Sequence, residues 1–361
     1  MSALPLEDEK QRPHLRVMSA RRVAIILFNL GGPDEPEAVR PFLFNLFNDK
    51  AIISLPQPFR FMLAQLISRV REKLAIENYG YMGGASPILP ETILQAQALE
   101  QAMAARVANV SFKCFPVMRY WAPRAKHVAV DVEAWGATDA ILLPLYPQYS
   151  STTTGSSLAE WRKVSALPAS ALCCYPTSKP FVEAHAEAII KAWRDGGSPA
   201  NPRVLFSAHS LPERVIAAGD PYQWQMEQTA AAVRALLPPE WETRICYQSR
   251  VGPIKWIGPT TEQEIHAAAQ DGVGLIVTPI AFVSEHIETL VELDIEYAQV
   301  ATRLGLPFYL RAAALGTAPR FIDALADLAA QALEQPGKTC SEQGARLCPA
   351  HARLCPHRST D

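Results

Sequence analysis

Long apolar runs are missing from this chain of 361 residues. A bilayer-spanning helix needs about 20 consecutive apolar residues, and the first uninterrupted run, Val23 to Phe28, is only strand-sized. No segment is expected to cross a membrane. An excess of one charge is missing too: 34 Lys and Arg face 36 Asp and Glu, which removes the positive field that a general nucleic-acid binder needs. Cysteine is sparse. Seven in a chain of this length are no disulfide framework, and the first 22 residues lack the apolar stretch of a secretory signal, so a reducing cytoplasm is the expected compartment. A nucleotide fingerprint is also absent, because Leu30-Gly31-Gly32-Pro33 has neither the lysine of a P-loop nor the spacing of a dinucleotide motif.

What is present is a large apolar fraction, 49% hydrophobic against 19% charged residues, enough to build a globular core. Short, almost wholly apolar runs recur between helical stretches: Val23–Asn29, Val110–Pro116, Ala140–Leu145, Ala171–Tyr175, Val204–Ser207, Thr243–Tyr247 and Val273–Pro279. Runs that do not alternate are expected of parallel strands covered on both faces, so the fold class is α/β with doubly wound parallel sheets. The segment from Arg22 resembles the segment from Arg203, each an apolar strand running into a polar turn. Two similar Rossmann-like lobes follow, at 23–195 and 203–335, joined by the Gly/Pro/Ser stretch near 195–202, with a loose tail at 1–22 and a Cys-rich extension at 336–361.

In such sheets ligands lie beyond the carboxyl ends of the strands, which directs attention to His209, a candidate base or metal ligand just past an apolar run. The strongest local signal is Ser284–Tyr297. At about 100° per residue, Glu285, Glu288, Glu292 and Glu296 share a helix stripe roughly 80° wide, with no Lys or Arg between Ser284 and Ala301 to offset them. A solvated acidic face normally mixes signs. A row of carboxylates beside His286 suits proton removal or passage of a divalent cation, which hard oxygen ligands hold without trapping. The hydroxyl-rich Gln148–Ser157 reads as a loop entering a helix, a place where backbone N–H groups bind anions. Between Ile52 and Val70 an apolar surplus with basic flanks reads either as an ordinary amphipathic helix or as a lip resting on an anionic membrane.

Leu30–Pro33, Tyr146–Ser150, Ser207–Pro212, Gln248–Pro253, Trp256–Pro259 and Phe282–Leu290 together resemble the ferrochelatase family, in order from about Val23 to Ala330. The resemblance implies two Rossmann-like lobes with the active-site cleft between them and insertion of ferrous iron into protoporphyrin IX, the last step of protohaem synthesis. It makes His209 and Glu288 the catalytic pair that also meets the substrate iron. Glu285, His286, Glu292 and Glu296 become the proton and metal relay. Leu30, Arg119, Tyr120, Tyr149, Ser150, Ser151 and Trp256 become the porphyrin-binding set. One departure stands at Gly80 and Tyr81, where some relatives carry a basic pair near the propionates, and it shifts propionate recognition toward the loop at Ser150–Thr154. Two rival readings are a chelatase for another divalent metal or tetrapyrrole, and a non-catalytic porphyrin or haem carrier.

The tail carries Cys340, Cys348 and Cys355 in a segment with too few apolar side chains to fold alone, so a metal centre is what could order it. By ligand type three Cys with His351 or His357 would suit zinc. The family resemblance instead implies a 2Fe-2S cluster, with its fourth ligand open among Cys173, Cys174, His351 and a non-Cys group. The expected partners are protoporphyrin IX, Fe2+ and an anionic membrane surface, with the protein held peripherally at the inner face. No nucleic-acid partner is expected, and a homodimer is left open.

Overall fold

A computed structural model describes residues 21–357. Residues 1–20 of the expected tail lie outside them, whereas Arg21 and Arg22 are not tail but the start of the first strand. Arg21 Nε donates to Asp139 at 3.0 Å, and Arg22 Nη1 donates to the Trp135 carbonyl at 2.9 Å.

The first lobe runs β1 (Arg21–Asn29), α1 (Val39–Phe47), α2 (Gln57–Gly80), α3 (Ile88–Arg106), β2 (Val110–Met118), α4 (Ala125–Ala134), β3 (Asp139–Pro144), α5 (Thr154–Val164), β4 (Ala169–Leu172) and α6 (Lys179–Asp195). The second runs β5 (Arg203–His209), α7 (Glu213–Ala217), α8 (Tyr222–Arg234), β6 (Glu242–Gln248), α9 (Thr261–Asp271), β7 (Leu275–Pro279), α10 (Ile287–Leu290), a π-helical turn (Glu292–Tyr297), α11 (Ala298–Arg303), β8 (Tyr309–Arg311) and α12 (Pro319–Leu333). Thr339–Cys340 adds β9. The sheets are ordered β2-β1-β3-β4-β9 and β6-β5-β7-β8, and every pairing is parallel.

The physical cause of the uniform apolar runs is visible in β1. Val23, Ile25 and Leu27 enter one buried cluster while Ala24, Ile26 and Phe28 enter another on the opposite face. Both faces of the strand are therefore core, and alternation would bury charge. The same division recurs in β5, where Val204, Phe206 and Ala208 point to one cluster and Leu205 to a second. The inner faces of the two sheets share a single core through α3, α6, α8 and α12.

The lobes exchange helices. α6 precedes the expected linker yet packs on α8, β7 and β8, while α12 closes back onto α3, β3 and β4. β8 and β9 were not expected. Each is two or three residues on a sheet edge, too short to show any apolar period, and both depend on a neighbour's ladder for their existence. Among the described residues no helix is long and apolar enough to cross a membrane.

Both sheets reverse order at their second strand: β1 has β2 on one side and β3 on the other, and β5 has β6 and β7. Such a switch point opens a crevice at the strands' carboxyl ends. Asn29-Leu30 and Leu145–Ser150 leave the first sheet there, and His209 and Phe282–Glu288 leave the second.

Candidate active site

His209 is the last residue of β5, opposite Gln248 on β6. Its carbonyl accepts from the Tyr222 hydroxyl at 2.9 Å, which pins the strand end. Its Nδ1 lies 3.0 Å from Glu288 Oε2. Because Nδ1–H donates to the carboxylate, Nε2 is left as the acceptor, and the ring keeps 35% of its side-chain surface accessible. His286 Nε2 approaches the same Glu288 oxygen at 3.7 Å.

The electrostatics follow from this packing. Burial alone would favour neutral His209, but the Glu288 carboxylate beside it outweighs that and raises its pKa. Burial likewise works to raise the Glu288 pKa, and the His209 and His286 rings overcome it, holding the carboxyl far below the usual range. Glu292 differs. Burial and the neighbouring Glu288 charge raise its pKa despite hydrogen bonds from Ser249 and Gln248. A pair of carboxyls with opposed shifts is the pattern of an acid–base assignment.

Gln248 joins these groups. Its amide accepts from Ser207 Oγ at 2.6 Å and donates to the Glu288 carbonyl at 2.7 Å and to Glu292 Oε2 at 3.0 Å. Ser249, held in the left-handed region at φ +63°, aims its N–H at Glu292 Oε1 at 2.8 Å, and the Tyr297 hydroxyl donates to the same oxygen at 3.0 Å. Gln248, Ser249 and Tyr297 were not anticipated in these roles. The one signal for the first two was their place just beyond an apolar strand.

The carboxylate row departs from a regular helix. Ile295 N and Glu296 N both donate to the Val291 carbonyl, at 3.0 and 2.9 Å, which widens the turn to an i→i+5 step. Glu285 precedes the helix and turns away from the site. Its carboxylate accepts from Arg311 Nη1 at 2.8 Å and Ala314 N at 2.9 Å, and Arg311 also pairs with Asp294. This corrects the expected four-membered stripe: the compensating cation comes from β8, which local sequence could not reveal. Glu292 stays beside Glu288, and Glu296 is exposed at the surface.

Among the expected porphyrin contacts, Leu30 lies in a cluster with Tyr79, Trp121, Val251 and Ile287, beside Glu288. Trp256 is half-buried, with its indole N–H lacking a protein partner. Others are already engaged. Arg119 donates to Asp49 at 2.7 Å, Ser156 at 2.8 Å and Glu160 at 3.2 Å. The buried Tyr120 hydroxyl donates to Asp49 at 2.9 Å. The start of the hydroxyl loop is engaged as well: Ser150 Oγ, Ser151 N and Ser151 Oγ all reach Asp220 Oδ2, at 3.1, 2.7 and 2.7 Å. Asp220 takes the Ser150 and Ser151 donors that an anion would use and adds a negative charge there. Tyr149 is buried against Cys173 and Cys174 instead of facing the cleft.

The thiols gather around the end of β4. Cys173 and Cys174 have their sulfurs 3.4 Å apart. Cys348 accepts from Gln225 Nε2 at 3.2 Å and packs with Cys355, and its polar and thiol surroundings lower its pKa. Cys340 stands apart from Cys348 and Cys355 in β9, wholly buried, its Sγ 3.6 Å from the Ala171 carbonyl. His351 is exposed. Among the described residues no three His, Cys, Asp or Glu side chains are set at metal-holding separations.

The ferrochelatase family model matches residues 22–333. The chain belongs to the ferrochelatase family. It is 55% identical over 341 residues to the ferrochelatase of Caulobacter vibrioides, covering 94% of this chain and 98% of that one. It is 53% identical over 340 residues to that of Phenylobacterium zucineum, with the same coverage. Among solved structures, SirB from Bacillus subtilis with Fe3+ aligns at TM-score 0.46 and 12% identity, over 87% of this chain and 98% of that one. As a ferrochelatase the chain inserts ferrous iron into protoporphyrin for haem synthesis, a protohaem ferro-lyase activity.

The opposed shifts at His209 and Glu288 are directly measurable. The imidazole should titrate above the ordinary value of about 6.5, because protonation is favoured beside the Glu288 carboxylate. In Glu288→Gln that stabilisation is gone and burial dominates, so the His209 midpoint should fall below its wild-type value in an NMR titration. An unchanged midpoint would separate the two groups.

Proposed function

We propose that His209 and Glu288 are the groups at which ferrous iron enters protoporphyrin IX. The observation that carries this reading is the 3.0 Å contact from His209 Nδ1 to Glu288, which leaves His209 Nε2 as a base at the mouth of the second sheet's crevice. As iron enters, two pyrrole N–H protons must leave. His209 Nε2 accepts one, and Glu288 stabilises the imidazolium that results. Imidazole nitrogen and carboxylate oxygen can hold the ferrous ion in passing without the grip of thiolates. Glu292, whose carboxyl is raised toward neutrality and hydrogen-bonded to Gln248 and Ser249, is the next proton acceptor, and exposed Glu296 delivers to solvent. Glu285 is left out of this path by its pairing with Arg311, and His286 acts by holding Glu288 ionised.

The porphyrin lies, on this reading, against Leu30 and Trp256. The α1–α2 hairpin closes the crevice, since Tyr79 on α2 packs with Leu30 and Ile287. α2 also supports peripheral attachment to an anionic membrane. Leu55 just before it and Phe59, Met62, Leu66, Val70 and Leu74 along it form an exposed stripe at steps of three or four residues, with Arg69 and Lys73 beside them. Apolar insertion assisted by basic flanks is the physics of interfacial helices.

The tail thiols carry the 2Fe-2S reading, with an altered ligand set. Cys348 and Cys355 pack together in the tail, and Cys174 lies beside Cys173 at the end of β4; these soft sulfur donors suit the thiolate chemistry of such a cluster once side chains move to bring them together. Cys173 or Cys340 would supply the fourth ligand after a shift in side-chain position, and the cluster takes no part in the insertion step.

Three outcomes test these readings. His209→Ala and Glu288→Gln should each lower iron insertion by roughly 10²–10⁴-fold, followed as loss of porphyrin fluorescence under anaerobic conditions, while Glu292→Gln and Glu296→Gln lose less because water can bypass a relay. Flotation with anionic liposomes should fail for Phe59→Asp combined with Met62→Asp; equal flotation of that variant and wild type removes the membrane role of α2. Protein purified without oxygen should be reddish brown and contain comparable iron and acid-labile sulfide, and Cys348→Ser should bleach it. Colourless protein carrying stoichiometric zinc rejects the cluster.

A further inference from the structure

The turn that carries His286 and Glu288 belongs to the second lobe, yet the first lobe holds it. Gln95, on α3 and wholly buried, donates from Nε2 to the Val283 carbonyl at 2.8 Å and to the Gly316 carbonyl at 3.0 Å. Its Oε1 accepts from Ser284 Oγ at 3.2 Å. One helical turn earlier, Glu91 Oε2 accepts the Glu285 N–H at 2.7 Å. Two side chains at i and i+4 on one helix face therefore grip three consecutive second-lobe positions, 283, 284 and 285, together with Gly316, whose N–H itself donates to the Val283 carbonyl at 2.9 Å.

The same helix is tied to the first lobe's side of the crevice. Thr92, between Glu91 and Gln95, accepts from Asn29 Nδ2 at 3.0 Å, and Asn29 Oδ1 accepts the Leu30 N–H at 2.8 Å. α3 is thus a rod with one polar face. One part of it fixes the end of β1, where Leu30 lines the cleft, and the other fixes the turn that delivers Glu288. We propose that Gln95 and Glu91 are positioning residues for iron insertion, setting the separation between the first-lobe wall and the Glu288–His286 pair. Neither touches the reacting groups. A buried glutamine whose two polar atoms make three hydrogen bonds is costly to place unless its geometry is used. Small displacements of a reacting group cost rate more than affinity, because they spoil orientation. The inference rests on the reading of Glu288 as a reacting-site group.

The test is a comparison of steady-state constants at a temperature where all variants are folded. Gln95→Leu keeps the volume and removes all three hydrogen bonds. It should lower kcat about tenfold or more while leaving the porphyrin KM within about twofold, because orientation and not binding is lost. Leu99→Ala, also wholly buried on α3 but facing the first-lobe core, serves as the stability control. An equal kcat loss in Leu99→Ala, or an unchanged kcat in Gln95→Leu, overturns the proposal. Glu91 gives an independent arm should Gln95→Leu fail to fold. Glu91→Ala should lose turnover and Glu91→Gln, which keeps an oxygen for the Glu285 N–H, should restore it; failure of that rescue also overturns the clamp. Glu288→Gln is assayed in parallel. Near-normal turnover there removes the underlying reading, whereas an inactive Glu288→Gln beside wild-type-like Gln95→Leu removes only the clamp.

Discussion

Keeping one carboxylate ionised inside an apolar crevice is the constraint on which the rest of this site depends. Glu288 is drawn from water, and burial would neutralise it but for two imidazoles, His209 at 3.0 Å and His286 at 3.7 Å. An unpaired buried charge costs several kcal/mol, so whatever places those rings is part of the site. Tyr222 pins the His209 backbone, Gln248 holds the Glu288 carbonyl, and the Val283–Glu285 turn is held from α3. The charge that suits proton removal also organises three elements from both lobes.

The widened turn at Glu292–Tyr297 resolves a conflict inside that arrangement. In a regular helix Glu288 and Glu292 would lie one above the other as like charges. The i→i+5 step at Val291 gives Glu292 room to collect the Ser249 N–H, the Gln248 amide and the Tyr297 hydroxyl. These donors carry a part-buried carboxyl that pairs with no cation among the described residues, while Arg311 on β8 takes up Glu285 and Asp294 on another side of the helix. Two carboxylates are thereby reserved for structure and two for the cleft.

The cysteine-rich tail reaches the same region by a different route. Leu354 N donates to the Gly219 carbonyl at 3.0 Å, and Gly219 sits at φ +95° with Arg353 so close that an added Cβ would stand 2.8 Å from its backbone nitrogen. Only glycine satisfies both demands. The next residue is Asp220, which holds the Ser150–Ser151 loop and accepts the Tyr222 N–H at 3.1 Å. The tail therefore presses on a loop two residues from the tyrosine that anchors His209. The donors at Ser150 and Ser151 are thus accounted for by a buried aspartate.

Much of this was legible in one dimension. Uniform apolar runs such as Val23–Phe28 announce strands covered on both faces, and polar residues directly after them announce a crevice, because both follow from local chain geometry. That His209, Glu288 and Glu292 gather beside that crevice was readable for that reason, as was the α/β fold class. The pairings were not. Glu285 shares a helical period with Glu288, yet its partner Arg311 lies on a three-residue edge strand that no pattern signals. Arg119 and Tyr120 could be picked out beyond a strand end, but not their shared partner Asp49, some seventy positions away. Which cysteines meet was equally hidden: the tail spacing favours Cys340 with its two neighbours, whereas pairing of β9 with β4 sends Cys340 into the sheet core and leaves Cys348 with Cys355 in a separate cluster. Periodicity is written by neighbours along the chain and so is determined by sequence. The partner of each charge and thiol is selected by packing between distant segments, and only the tertiary structure decided it.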